Sequence, residues 1–333
     1  MDSLELRPEA EGCATSRRCG PQTAILIATY NGGSFLAEQL CSLEAQSQQD
    51  WIIVARDDLS TDATSIILDQ FAARSRAGRL VRLASGPARL GALGNFLALL
   101  EHAPPARSYA FCDQDDVWLP EKLSRAVRAL GREPEDLPVL YCARQQIVDG
   151  ALRKLCLSPN LARRPSLQNA LVQNIATGCT IVMNEAARRA VLAAQPPSGT
   201  LHDWWSYLVV TAVGGHVVFD PYPVILYRQH GANTVGAVPS MVTRATKAAR
   251  RGPNTFMQVF MAHVEALLCH PGLTAEARSL LERLARLPEA SLAGKLGHIV
   301  RAGLYRQGTL EQAALYAWVV WWHLKGGSRS NRR

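Results

Sequence analysis

The chain has 333 residues, of which 48% are hydrophobic and 19% charged, with 36 Lys+Arg against 28 Asp+Glu. This excludes a disordered, collagen-like or coiled-coil chain, and the length suits one large α/β domain with an appendage, or two domains. The net charge of +8 raises nucleic acid as a partner, but Met241–Arg333 alone holds 14 Lys+Arg and 5 Asp+Glu, leaving 22 against 23 before it.

The predicted elements alternate. Thr23–Thr29 is a continuous apolar run, as a strand buried on both faces requires. Asn31-Gly32-Gly33 ends it, and Ser34 is expected to cap a helix through about Gln46, with Leu36, Leu40 and Leu43 on one face. Trp51–Arg56 reads as a second strand, and Ser60-Thr61-Asp62 opens a helix with Ala63, Ile67 and Phe71 as its apolar stripe. A short strand at Leu80–Leu83, a helix at Leu93–Leu100 and a strand at Tyr109–Cys112 follow. Pro120 and Gly131 frame the next helix. Beyond Gly150 the pattern loosens into a strand near 178–183, a helix from about Asp203, and strands near 216–219 and 223–228. From about 240 the chain reads as basic helices broken by Gly and Pro. Strands alternating with helices predict a doubly wound parallel sheet, whose ligands bind beyond the carboxyl ends of the strands.

The eight cysteines show no metal-finger spacing, and residues 1–21 carry acidic groups where a secretory signal needs an apolar stretch. A reducing cytoplasmic location is expected. The most apolar run, Ala313–Leu324, has 12 residues, well short of the roughly 20 a membrane span needs.

Polar residues gather at the predicted strand ends: Thr29, Tyr30 and Asn31, then Asp57 and Asp58, then Asp113, Gln114, Asp115 and Asp116. Each alone has a bland reading as a turn or cap residue. Carboxylates at i and i+2 of an extended segment, as in Asp113 and Asp115, point to one side. Held that close they call for a hard cation, Mg²⁺ or Mn²⁺, or else form a solvated turn. Asp203, in His202-Asp203-Trp204-Trp205, is either a helix cap, with Trp204, Leu208 and Thr211 facing the core, or a general base beside an aromatic wall. Arg228 and His230 would neutralise phosphate oxygens or complete a metal shell, or sit in an ordinary loop.

In seven segments the chain resembles glycosyltransferase family 2, the GT-A-fold enzymes that use nucleotide-diphosphate sugars: ILIATYNGGSFLAEQLCSLEAQ, ARDDLSTDATSIIL, GPARLGALGNFLALL, YAFCDQDDVWLPEKL, NIATGCTIVMN, HDWWSYLVV and YRQHGANTVGA. The segments span about residues 22–236, and the DQDDVWLPEK, HDWW and YRQHGxN combination looks most like bacterial rhamnosyltransferases of surface-polysaccharide synthesis. The resemblance implies a GT-A catalytic domain at 22–238, with a nucleotide-sugar half (22–118), an acceptor half (119–238) and a basic helical region at 239–333. It implies a donor site of Ala28, Tyr30, Asn31, Asp58, Gly91, Asn95, Asp113, Gln114 and Arg228. Asp115 would be the direct metal ligand, with Asp113 and His230 beside it, and the metal Mn²⁺ or Mg²⁺. Asp203 would be the catalytic base, with His202, Trp204 and Trp205 on the acceptor side. Two departures from the family pattern stand out. Arg56 and Leu59 replace a Val-like residue and a Gly, and Leu93-Gly94 stand where relatives keep a basic residue.

The implied activity is inverting, metal-dependent transfer of a sugar, L-rhamnose from dTDP-rhamnose as first choice, to a saccharide or lipid-linked acceptor. UDP-glucose or UDP-galactose are the alternative donors. A nucleotidyltransferase would carry a basic Gly-rich loop where this chain has Asn31-Gly32-Gly33-Ser34, and no nucleic-acid-binding signature accompanies the basic tail. That tail reads either as helices packed on the catalytic domain or as a peripheral contact with an anionic membrane at its inner face. The second reading rests on Trp318, Trp321 and Trp322 beside Lys325, Arg329, Arg332 and Arg333.

Overall fold

Thr23–Thr29 forms β1 with the predicted bounds, followed by α1 (Leu36–Glu44), β2 (Trp51–Asp57), α2 (Thr64–Arg74), β3 (Leu80–Leu83), α3 (Gly91–His102) and β4 (Ser108–Cys112). Next come β5 (Val117–Trp118), α4 (Lys122–Leu130), β6 (Val139–Val148), β7 (Lys154–Leu157), α5 (Leu167–Ala170) and a 3-10 turn at Gly178–Thr180. Then follow β8 (Val182–Asn184), α6 (Glu185–Leu192), α7 (His202–Ala212), β9 (His216–Arg228), α8 (Met241–Leu268), α9 (Ala275–Ala285), α10 (Leu292–Arg301) and α11 (Thr309–Leu324). This computed structural model describes residues 20–76, 78–231 and 241–325, with only the backbone of 241–253. The N-terminal extension before Gly20, and Arg329, Arg332 and Arg333, lie outside the described residues.

The sheet is mixed, in the order β3-β2-β1-β4-β8-β6-β9-β5, with β7 on β6. Its first four strands are parallel, and β8 then pairs antiparallel to both β4 and β6. Alternation along β1 explains the two layers. Ile25 and Ile27 face α1, α2 and α4, packing with Leu36, Leu40, Leu68, Phe71 and Leu123. Ala24 and Leu26 face α3, α6 and α7, with Phe96, Leu99, Ala187 and Leu208.

The sequence reading is corrected in several elements. Ser34 does not cap α1; its first turn is closed by the carbonyl of Gly32, which accepts from the Phe35 and Leu36 N–H groups. The buried stripe of α2 is Thr64, Leu68 and Phe71, so Phe71 stands as predicted while Thr64 and Leu68 replace Ala63 and Ile67. β6 and β7 were not predicted, and the two strands expected at 216–228 are one continuous β9. Cys41, Cys112, Cys142, Cys156, Cys179 and Cys269 carry free thiols.

The C-terminal helices pack on the α3/α6/α7 side. Met257, Phe260 and Val264 of α8 and Leu315, Val319 and Trp322 of α11 join that same apolar cluster. Trp322 is buried, with the Lys295 ammonium 4.6 Å from its ring centroid, and Trp318 packs on Phe256. Of the three tail tryptophans read as a membrane contact, only Trp321 points outward. Among the described residues no helix is long and apolar enough to cross a membrane.

Candidate active site at the carboxyl edge of the sheet

β1, β2 and β4 run parallel, so the polar segments that follow them meet at one edge. After β1 the chain turns at Asn31, whose φ of 47° is a left-handed conformation that asparagine tolerates. The Asn31 N–H donates to the Ser60 hydroxyl at 2.8 Å, and its Oδ1 accepts from the Thr61 N–H. Gln114 clasps Tyr30 from the β4 side, accepting from its N–H at 2.8 Å and donating to its carbonyl at 2.9 Å. The predicted donor residues Tyr30, Asn31 and Gln114 thus form one bonded rim. Ala28, on β1 just below it, is partly buried against the core.

Asp58 stands at the end of β2, where it accepts from the N–H groups of Leu90 and Gly91 at 2.8 and 2.9 Å. The Arg56 guanidinium donates to Asp58 at 3.2 Å and to Asn95 Oδ1 at 3.0 Å. Burial raises the Asp58 pKa, but the two backbone N–H groups and Arg56 outweigh it and hold the carboxyl below its ordinary range. Predicted residues Asp58, Gly91 and Asn95 therefore come together, joined by a cation the sequence reading noted only as a departure. Arg89, which that reading passed over, lies over the Tyr30 ring at 3.3 Å from its centroid and 3.8 Å from Asp58. A basic residue in the loop before α3 was its only sequence signal.

The segment after β4 holds the acidic centre. His230 Nε2 is 2.8 Å from Asp115 Oδ2, and the His230 ring packs on Phe35 at 4.7 Å. Asp113 is partly exposed; burial, then the charges of Asp115 and Asp203, push its pKa up to about 7 against the opposing pull of Lys122. Asp203 accepts from the Gly178 N–H, and the next residue, Cys179, brings its Sγ within 4.8 Å of an Asp113 carboxylate oxygen, so the start of α7 and the acidic loop share one neighbourhood. Asp116 is fully buried, accepts from the Arg228 N–H at 3.1 Å, and is raised well above the ordinary value by burial and its two acidic neighbours.

Two groupings of these residues compete as a metal site. Among the described residues, Asp113, Asp116 and Cys179 bring possible ligand atoms within 4.8 Å of one another. Burial holds the Cys179 thiol well above its ordinary pKa, so it stays a protonated, soft group unsuited to Mg²⁺ or Mn²⁺. The partly exposed carboxylates of Asp113 and Asp115, with the His230 imidazole beside them, fit a hard cation that keeps open positions.

Arg228 is engaged differently from expectation. Its guanidinium donates to the carbonyls of Asp115 at 2.9 Å and Gly150 at 2.7 Å and pairs with Glu38. It ties α1 and the acidic loop together rather than standing exposed to a diphosphate.

Asp203 lies in the first turn of α7, with Leu201 and not Asp203 at the cap position. Its carboxylate accepts from the N–H groups of Trp204 at 2.6 Å and Gly178 at 3.1 Å. Burial raises its pKa to about 6, opposed by those hydrogen bonds and one from Asn174. The acceptor-side residues are corrected. Trp205 is a core side chain, and His202 is stacked on Phe96 at 4.0 Å and held neutral, its pKa lowered to about 3 by burial. Trp204, partly exposed, donates from Nε1 to the Ala170 carbonyl at 2.7 Å and packs on His263. An aromatic run at a helix start does not by itself reveal which face turns inward. Lys122, also unflagged by the sequence reading, is fully buried; it lies over the Trp118 ring and donates to the Cys179 carbonyl at 2.5 Å.

A family described as Glycosyl transferase family 2 matches residues 24–192, half of the chain. The chain is 29% identical over 237 residues to dTDP-rhamnosyl transferase RfbG of Shigella flexneri, covering 63% of this chain and 74% of that one. An uncharacterized protein of Mycobacterium bovis is 29% identical over 209 residues, 62% of this chain and 58% of the relative, so the chain spans less than two thirds of that relative's length. In structure it resembles S. aureus TarS 1-349, solved in complex with UDP-GlcNAc, with TM-score 0.57, 14% identity and 92% of each chain covered. At that identity the likeness is one of fold, the GT-A arrangement with a helical C-terminal region.

Proposed function

The chain belongs to glycosyl transferase family 2, and from that premise we propose that it transfers a sugar, with inversion, from a nucleotide-diphosphate donor to an acceptor hydroxyl. The observation that carries this reading is the meeting of the Asp113–Asp115 loop with Asp203 at the carboxyl edge of the sheet, through Gly178, whose N–H bonds Asp203, and Cys179, whose Sγ lies within 4.8 Å of an Asp113 oxygen. In this reading residues 22–118 hold the donor, 119–238 complete the acceptor side, and the helices from Met241 to Leu324 form an appendage. The nucleotide lies along Ala28, Tyr30 and the Asp58 loop, with Arg89 at the rim facing its phosphates.

The acceptor oxygen attacks the anomeric carbon, the bond from that carbon to the diphosphate oxygen breaks, and the hydroxyl proton passes to Asp203. A base near pKa 6 is ionised at neutral pH yet basic enough to take that proton, help worth on the order of 10²–10⁴ in rate. Asp113 and Asp115, with His230 beside them, would hold Mn²⁺ or Mg²⁺, which would supply positive charge against the leaving diphosphate.

The similarity to RfbG, a dTDP-rhamnosyl transferase by name, supports dTDP-rhamnose as donor, and we take the acceptor to be a saccharide or lipid-linked hydroxyl in surface-polysaccharide synthesis. In this reading the reaction takes place in the cytoplasm, at the inner face of the membrane where a lipid-linked acceptor would be presented. The test is a donor panel of dTDP-rhamnose, UDP-glucose, UDP-galactose and UDP-GlcNAc, followed by nucleoside diphosphate release. Release from dTDP-rhamnose above the others is expected. Preference for a UDP-sugar overturns the donor assignment, and no release from any donor overturns the activity.

A further inference from the structure

Helix α11 carries an apolar face that nothing among the described residues covers. Its exposed positions Leu310, Ala313, Ala317, Trp321 and Leu324 are spaced by three and four residues, so they form one stripe. Leu310 is 71% exposed, Trp321 49% and Leu324 72%, whereas Leu315, Val319 and Trp322 on the opposite side are buried. No acidic residue lies on the stripe. Glu311, in the same first turn, accepts instead from Gln173 Nε2 at 2.8 Å. Lys325 closes the helix with its ammonium 5.3 Å from the Trp321 ring centroid, and the sequence beyond it adds Arg329, Arg332 and Arg333 without an acid.

The start of α11 is tied to the segment that leads to the base. Gln307 Oε1 accepts from the Ala162 and Arg163 N–H groups at 3.0 and 2.9 Å, and its own N–H donates to Gln173 Oε1 at 2.7 Å. The next residue after Gln173, Asn174, hydrogen-bonds Asp203 through its side chain. The segment leading into α11 is thus joined to Asp203 through two adjacent residues, Gln173 and Asn174.

We propose that the outer face of α11 is a lipid-docking surface that lies flat on an anionic bilayer. This deepens the reading above by naming the membrane as the place from which a lipid-linked acceptor is taken. Three features select this occupant. The stripe is apolar along its whole length, an amphipathic indole stands near its C-terminal end, and the charge at and beyond that end is positive only, which complements anionic headgroups. A helix of 16 residues reaches about 24 Å, so it rests on the interface rather than crossing it.

The test is flotation of the full chain with vesicles of phosphatidylcholine alone, or with about 30 mol% phosphatidylglycerol. Binding to the anionic vesicles is expected, lost at high salt and weakened roughly tenfold or more in Trp321→Glu and Leu324→Glu. Ile66→Glu, an equally exposed apolar position on α2, serves as control and should bind as the wild type does. Equal binding by the α11 variants, or none by the wild type, overturns the proposal. So does a dimer in light scattering that the same variants dissociate, since the face would then cover a second copy. Donor turnover with a soluble acceptor, read in parallel, is expected to be unchanged in the variants. Docking without turnover would count against the transferase reading and leave the surface standing.

Discussion

The backbone N–H of Gly178 donates to the Asp203 carboxylate at 3.1 Å, and a methyl group on Gly178 would stand 2.6 Å from Nε2 of the preceding residue, His202. The glycine is therefore a close-approach point between the 3-10 turn and the first turn of α7. His202 is held between Phe96 and Phe111 and has little room to yield. Gly178→Ala is expected to push the start of α7 outward and lower kcat about 10²-fold, with donor KM nearly unchanged. Steady-state kinetics alongside a melting curve decide it. A lower Tm with kcat intact would reduce Gly178 to a packing residue.

Asp203 sets the acid side of the pH profile. Its pKa of about 6 makes it a base only when ionised, so kcat/KM should fall as pH drops through about 6. The stability effect has the opposite sense. A carboxyl raised in the folded state binds its proton more tightly there than in the unfolded chain. Its burden on the fold is therefore absent below about pH 4 and fully developed above about 6. The gap from the ordinary 3.8 corresponds to roughly 3 kcal/mol as a ceiling. Asp203→Asn is expected to lose roughly 10²–10⁴ in turnover while melting no lower than wild type at pH 8. Retained turnover with normal donor binding would show that another group takes the proton.

Transfer is expected to stop on chelation with EDTA and to return with Mn²⁺ or Mg²⁺. Asp115→Ala should cost roughly 10²-fold or more in kcat/KM, because charge on the leaving diphosphate then goes unmatched. His230→Ala, which removes the imidazole 2.8 Å from Asp115, should weaken apparent metal affinity by roughly 10- to 100-fold. Titrating metal into each variant separates the two effects. Transfer that survives EDTA would remove the ion from the mechanism.

What could be read in advance depended on whether the information was local. β1 was legible to the residue, because an apolar run bounded by polar residues is a one-dimensional signal. β6 was not, since Arg144, Gln145 and Gln146 interrupt its apolar pattern; Arg144 bonds the Ser158 carbonyl, and Gln145 is buried. Asp220-Pro221-Tyr222-Pro223 suggested a break in β9, yet the strand runs through, with register shifts against β6 taking up the irregularity. The strand-end carboxylates were visible for the same local reason as β1. The bond from Arg56 to Asn95 and the stacking of Arg89 over Tyr30 are contacts across 39 and 59 residues, and the burial of Lys122 is set by packing from other elements. No window of sequence contains them.

Leu59 is the position where a local rule is broken. It follows Asp58 with φ of 67°, a left-handed conformation that costs a residue with a Cβ about 1–2 kcal/mol, and it stands where the family pattern has Gly. Its side chain is exposed, so little packing offsets the strain. Glycine adopts this conformation without penalty but loses about 0.5–1 kcal/mol more entropy on folding. Leu59→Gly is therefore expected to stabilise the chain by up to about 1 kcal/mol in denaturant unfolding. The hydrogen bonds that Asp58 receives from Leu90 and Gly91 should persist, leaving donor KM within about twofold. A clear loss of stability would mean that the Leu59 side chain makes a contact worth more than its strain. A raised donor KM with stability preserved would instead place that side chain against the bound nucleotide.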